Sequence, residues 1–172
     1  MTKAGRRMFE GRVVSVDLED VVLPNGAQAV FEVVRHPGGA AIVAVDVEQR
    51  VCLLNQLRPA VNRWLWELPA GKLDGGEDPL ATARRELEEE SGVRADRWQS
   101  LGECYSSPGV FTEVVRLFLA TGLETATARP EAHEIFTVTW VPLAEACRRA
   151  LAGDIVDSKT VIGLLRAQAA LG

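Results

Sequence analysis

The sequence predicts an α+β fold arranged as an α/β/α sandwich. Three observations carry this. Apolar, β-branched runs broken by turn signals fill the first third of the chain and recur later. One strongly marked helix lies near the middle, and two more helical segments close the chain. Strands dominate by count, and helices come late, which is the pattern of layers stacked around a sheet. No repeat, low-complexity run or Pro/Gly/Ser-rich linker divides the 172 residues, a length suited to one domain with its own core.

The elements follow in order. Gly11 to Leu18 alternates in part, and Pro24-Asn25-Gly26 is a turn signal joining it to Ala29–Arg35 as a hairpin. His36-Pro37-Gly38-Gly39 ends that run. Ala40–Val47 is apolar and β-branched, so it reads as a buried strand. Glu48-Gln49-Arg50 is expected to turn it into a second hairpin with Val51–Gln56. Trp64 to Leu68 is a short aromatic segment that leads into the Pro69–Gly76 loop. The central helix has Asp78 as N-cap, Pro79 at its first position and Gly92 at the left-handed C-terminal position. Within it, Leu80, Ala83 and Leu87 recur at helical spacing and form one stripe for burial. Trp98–Tyr105 and Val114–Thr121 are strand candidates on either side of Ser106-Ser107-Pro108-Gly109. Leu123–Glu134 reads as a polar loop and Ile135–Val141 as a strand. Pro142–Ala152, stopped by Gly153, and Ser158–Leu171 read as helices.

Composition narrows the function classes. The formal charge is −5, from 19 basic and 24 acidic residues, which argues against a nucleic-acid binder because such a protein carries a basic patch. A small anionic substrate stays possible, since a bound cation dominates the local field. Cys52, Cys104 and Cys147 are scattered without CxxC spacing, so they suit a reducing compartment and small buried roles. No apolar run reaches the length of a membrane span, and Met1–Gly11 has basic residues but no apolar stretch after them. A cytoplasmic protein with no membrane partner is the expectation.

The most informative stretch is Gly71 to Val93, GKLDGGEDPLATARRELEEESGV. On a helix of 3.6 residues per turn, Glu86 and Glu90 lie one turn apart and Glu89 flanks them. Like charges at that spacing repel, so something must offset them. Hard divalent cations suit such oxygen donors, and Mg²⁺ bridges a few carboxylates to substrate phosphates. Two such ions polarise a phosphoryl group and generate hydroxide from water. Arg85 can pair with a carboxylate and orient it. The bland alternative for an isolated triple glutamate is a solvated helix face. The further fixed positions oppose it: they form the pattern G-x5-E-x7-R-E-U-x-E-E-x-G-U, with Leu87 and Val93 as the bulky aliphatics U.

This pattern resembles the Nudix hydrolase family, which cleaves a nucleoside diphosphate linked to another group and uses Mg²⁺ or Mn²⁺. The resemblance implies a mixed β-sheet between helices with a loop–helix–loop catalytic motif, and two or three metal ions per site. It implies Glu86, Glu90 and the Ala70 backbone carbonyl as metal ligands. It gives Glu89 a part in metal binding or water orientation, Arg85 the positioning of a carboxylate, and Glu77 support of the loop. Gly71 and Gly92 are structural.

Outside the motif, Tyr105-Ser106-Ser107-Pro108-Gly109 followed by Glu113 is similar to the ADP-ribose pyrophosphatase subfamily. Trp66-Glu67-Leu68-Pro69-Ala70-Gly71, Gln56-Leu57-Arg58, His36-Pro37-Gly38 and Gly153–Thr160 resemble it as well. The resemblance implies substrate contacts from Arg58, Glu67, Glu113, Pro108 and Gly109. Trp64 is a candidate for stacking on a base, although an aromatic on a strand is more often core. The general base is expected from the loop before the late strand, where Glu134 is favoured over Glu131. His133 in the same loop reads as a solvated group.

The implied reaction is hydrolysis of ADP-ribose to AMP and ribose 5-phosphate. Rivals are the same chemistry on GDP-mannose or UDP-glucose, a non-catalytic nucleotide-sugar sensor, a nucleoside triphosphate sanitiser and an RNA-decapping enzyme. The resemblance further implies a homodimer with exchanged N-terminal strands. Residues 1–38 would form the dimerisation and substrate arm, and residues 39–172 the catalytic core of a single domain.

Overall fold

The computed structural model describes residues 3–131 and 134–172. Ten strands and three α-helices are seen among them. They are β1 (Lys3–Glu10), β2 (Ser15–Val22), β3 (Gln28–Arg35), β4 (Gly39–Ala44), β5 (Arg50–Arg58), β6 (Arg63–Glu67), β7 (Ala70–Lys72), α1 (Pro79–Ser91), β8 (Val93–Tyr105), β9 (Val114–Thr125), β10 (Phe136–Pro142), α2 (Leu143–Ala152) and α3 (Ser158–Leu171). Three sheets result, ordered β1-β2-β3, β7-β4-β9-β8 and β10-β5-β6. The four-stranded sheet is mixed, because β4 runs parallel to β9 and antiparallel to β7.

All six residues of β4 are buried, since both of its faces are covered. Ala40, Ile42 and Ala44 pack with Ala83 and Leu87 of α1. Val43 and Val45, on the opposite face by strand alternation, pack with Leu143 and Ala146 of α2 and Leu164 of α3. Helices on both faces of the sheet are the sandwich expected. Each large aliphatic in these layers stabilises the fold by roughly 1.5–3 kcal/mol.

Four expectations need correction. Ala40–Val47 and Val51–Gln56 do not form a hairpin ladder. The chain does turn at Gln49, which has φ +59, but only one bridge, Val45 to Val51, links the two strands. The edges of β4 are taken by β7 and β9 and those of β5 by β10 and β6, so the two strands enter different sheets. The N-terminal hairpin gains a third strand, β1, and its first expected strand moves from 11–18 to Ser15–Val22. β8 begins at Val93 rather than Trp98, directly after the C-cap of α1. β9 continues to Thr125, into the segment read as loop, because β8 pairs with it as far as Val93↔Thr125.

Candidate functional site

The helix α1 forms as its sequence dictates. The Asp78 side chain accepts a hydrogen bond from Ala81 N–H, Pro79 starts the helix, and Gly92 ends it at φ +67. Ala83 and Leu87 are fully buried, which turns the adjacent edge toward a cavity of about 730 Å³. Leu80 is only half-buried, so the stripe is narrower than its spacing suggests.

Three carboxylates of α1 have unequal surroundings. Glu90 is 2% exposed and accepts the Ala70 N–H at 2.8 Å. Burial pushes its carboxyl well above the usual range, and the charges of Glu86 and Glu134 add to that against the Ala70 bond. Glu86 is also raised, by burial first, with Arg85 opposing and Glu89 and Glu134 adding. Glu89 is more open. Arg85 donates to Glu86 Oε1 at 2.7 Å and to Glu89 Oε2 at 3.0 Å, and it reaches Glu77 at 3.4 Å. The Glu77 carboxylate also accepts the Thr82 hydroxyl, which fixes the loop against the first turn of α1. A Cβ on Gly71 would lie 1.8 Å from Glu86 Oε1, so only glycine leaves room for that carboxylate.

Among the described residues, no three His, Cys, Asp or Glu side chains are drawn together as a finished metal cage. Glu86 and Glu89 are drawn to Arg85 instead. The donor set nevertheless fits a hard divalent cation. The donors are all oxygens, Gly71 leaves space beside Glu86, and burial disfavours the charge of Glu86 and Glu90 until a cation offsets it. Glu86, Glu89 and Glu90 are the residues that would hold such an ion, with the Ala70 backbone beside them.

A second group lines the same cavity. Glu67, 1% exposed at the end of β6, receives a fork from Arg58, with Nε and Nη2 each at 2.7 Å. Lys159 Nζ lies 2.5 Å from Glu67 Oε2 and 3.0 Å from Asp157 Oδ1. Burial pushes the Glu67 carboxyl up, but the Arg58 fork and Lys159 outweigh it and hold it below the usual range. A third group joins His36 and Glu113. The His36 ring lies 3.4 Å from Glu113 Oε1, stacks at a tilt on Phe111, and accepts the Gly38 N–H on Nδ1.

The cavity therefore gathers Arg58, Glu67, Ala70, Gly71, Arg85, Glu86, Glu89, Glu113, Glu131 and Glu134 from the residues anticipated. Glu134 accepts the Glu131 N–H at 3.0 Å. Ala132 and His133 lie outside the described residues. Three expected substrate contacts do not line the cavity. Trp64 is 50% exposed at the open face of β6, and it faces neither core nor cavity. Pro108 and Gly109 are exposed in a turn closed by Val110 and Phe111 N–H bonds to Ser107 O. That turn docks on β3 through Val34 and presents its flanks, Ser106 and Glu113, to the cavity.

His36, Ser106, Asp157, Ser158 and Lys159, from segments that resemble the subfamily but with no role assigned to them singly, also line the cavity, as do Lys72 and Cys104. One signal was present. Lys159 stands in the first turn of α3, where the helix dipole disfavours a cation.

The NUDIX domain family model matches residues 35–162. The chain is 42% identical to ADP-ribose pyrophosphatase of Mycobacterium tuberculosis, over 98% of this chain and 83% of that one. It is 40% identical to the methanol dehydrogenase activator of Bacillus methanolicus, over 92% and 86%. It is 38% identical to ADP-ribose pyrophosphatase of Bacillus subtilis, over 95% and 89%. A solved structure described as an ADP compounds hydrolase superposes with a TM-score of 0.83 at 22% identity, covering 99% of this chain and 95% of that one. That structure speaks to the fold.

Proposed function

The chain belongs to the Nudix hydrolase family, and from that premise we propose that it hydrolyses the pyrophosphate bond of ADP-ribose, giving AMP and ribose 5-phosphate. As a family member it is a hydrolase of phosphoric anhydrides that uses divalent metal ions; Mg²⁺ is the proposed ion, with Mn²⁺ as a substitute and two or three ions per site. The observation that carries the reading is the convergence of three polar groups on one cavity. These are the Glu86 and Glu89 carboxylates of α1, the Arg58–Glu67–Lys159 cluster and the His36–Glu113 pair. A diphosphate flanked by two sugars needs charge balance, a cation or stacking plane, and hydroxyl acceptors, and these groups offer each in turn.

The roles divide as follows. Glu86, Glu89, Glu90 and the Ala70 carbonyl hold the metal, which when bound supplies Lewis acidity and a more acidic water. Arg85 sets the Glu86 and Glu89 carboxylates, and Glu77 holds Arg85. Arg58, with its guanidinium edge fixed by Glu67, offers its free edge and face to the nucleotide. Glu113 accepts hydroxyls of the terminal ribose. Glu134 takes the proton from the attacking water. It lines the cavity and its charge is felt by both Glu86 and Glu90, which supports it as the base. Pro108 and Gly109 shape the turn that carries Glu113, and Trp64 is free to meet a nucleobase or a second chain.

Residues 1–38 are read as an arm and residues 39–172 as the core of a single domain. The arm's sheet exposes Met8, Phe9, Val30 and Phe31, which supports a homodimer built through it. No described helix is long and apolar enough to cross a membrane, and the cytoplasm is the proposed compartment.

The test is a panel of nucleoside diphosphate derivatives assayed with Mg²⁺ and with Mn²⁺, with products identified. ADP-ribose should exceed GDP-mannose and UDP-glucose in kcat/KM by at least about tenfold. Parity among the three overturns the substrate assignment, and turnover that survives complete chelation overturns the metal assignment.

A further inference from the structure

We propose that Lys159 is a positioning residue for substrate recognition, acting through Glu67 to fix the plane of the Arg58 guanidinium in the cavity wall. The inference rests on the reading of Arg58 as a substrate contact.

Helix stability does not account for Lys159. It occupies the first turn of a 14-residue helix, where a cation opposes the macrodipole. Nor is it a solvated surface lysine: its side chain is 16% exposed and lies between Glu67 and Asp157. The Glu67 carboxylate thus has two cationic partners from two elements, Arg58 of β5 and Lys159 of α3. The Arg58 fork makes the guanidinium and the carboxylate one shared plane, which can still tilt as a unit. The Lys159 contact on Oε2 removes that freedom.

The contacts also close a ring. Leu68 N–H donates to Thr160 Oγ1 at 2.9 Å, and the Thr160 hydroxyl donates to Asp157 Oδ2 at 2.6 Å. Asp157 pairs with Lys159, Lys159 pairs with Glu67, and Glu67 is joined by its own peptide bond to Leu68. The N-terminus of α3 is thereby locked to the end of β6. That strand end leads through Pro69, whose carbonyl accepts the Ile42 N–H, to Ala70, whose N–H bonds to Glu90.

Charges alternate along Arg58, Glu67, Lys159 and Asp157, so the group sums to zero and adds little net attraction for a diphosphate. What it provides is orientation. Arg58 spends Nε and Nη2 on Glu67, which leaves Nη1 and the guanidinium faces for the nucleotide. Loosening Glu67 should therefore weaken binding more than chemistry.

Lys159→Met should raise KM about tenfold while kcat changes less than about threefold, and Lys159→Arg should restore most of the loss. In a Glu67→Gln background, adding Lys159→Met should change KM by less than about twofold, because the path through Glu67 is already broken. The Arg58 Nε–H nitrogen-15 resonance should be visible and protected from exchange in the wild type and lost in Lys159→Met. An unchanged KM, a fall in kcat at constant KM, or full additivity in the double variant overturns the inference. Should Lys159→Met fail to fold, Lys159→Gln carries the same comparisons. Should the wild type turn over no nucleoside diphosphate sugar, the proposed reaction fails. The Arg58 signal then decides this inference alone: its loss in the variant supports it, and its persistence overturns it.

Discussion

Single atoms decide the carboxylate site. At Gly71, a methyl group would stand 1.8 Å from Glu86 Oε1 and 2.6 Å from its Cγ, so the side chain could not keep its position. Gly71→Ala should therefore displace the Glu86 carboxylate and cut kcat by about a hundredfold, since misplacing a reacting group by an ångström costs that much. An unchanged circular dichroism spectrum alongside the lost rate separates this from unfolding, whereas a wild-type rate would contradict the cradle. At Glu67 the sign of the pH effect follows from its partners. Its folded pKa lies below the ordinary 4.5 despite burial, because Arg58 and Lys159 favour the carboxylate. The stability it contributes is complete above that value and drains as pH falls through the depressed folded value. Glu67→Gln should cost about 2 kcal/mol at neutral pH. It should also show a shallower decline of Tm than the wild type between about pH 6 and about pH 3. Parallel Tm–pH curves would contradict this.

At the scale of elements, α1 is held by its ends as well as its buried stripe. Asp78 caps one end. Gly92 closes the other in a left-handed conformation, and there the segment after β9 docks, with Ala126 N–H on Gly92 O and Arg129 N–H on Glu89 O. Asp78→Ala should cost about 1 kcal/mol as a lost cap. Gly92→Ala should cost at least about 1 kcal/mol for its φ of +67, and its new Cβ would also press on Ala128 N at 3.3 Å. In a chain of this size, calorimetry should read each as a fall in Tm of about 2–4 °C. The two losses should add, because the caps lie at opposite ends of the helix. Gly92→Ala should in addition lower kcat more than Asp78→Ala, since only the former disturbs the segment that carries Glu131 and Glu134. Equal effects on kcat would detach that loop from the C-terminus of α1.

At the scale of the whole molecule, β1-β2-β3 is a separate sheet that meets the β8–β9 turn through Val34, with Met8, Phe9, Val30 and Phe31 exposed. An apolar surface of this kind calls for a partner, and a second copy of the chain is the occupant proposed. Light scattering at micromolar concentration should give the mass of two chains, and Phe31→Asp should shift the population toward one. A monomeric wild type would exclude the exchanged-strand dimer.

Much of this was legible in order along the chain, because the signals were local. The caps of α1, its stop at Gly92 and the face shared by Glu86, Glu89 and Glu90 follow from helical geometry and side-chain chemistry within one short stretch. The buried run of β4 reads correctly for the same reason, since six apolar residues need no partner to announce burial. The hairpin expected between β4 and β5 failed because pairing is a competition among distant strands, and β9 lies far along the sequence. The Lys159–Glu67–Arg58 cluster was likewise invisible as a unit. Its members sit on α3, β6 and β5, and only packing brings such separations within a hydrogen bond. Sequence by itself determined the class of chemistry, by concentrating carboxylates on one capped helix. The tertiary structure alone decided which outlying residues face that helix. It set Lys159 into the cavity wall and left Trp64, Pro108 and Gly109 outside it, because a cavity is a property of the closed chain and not of any segment.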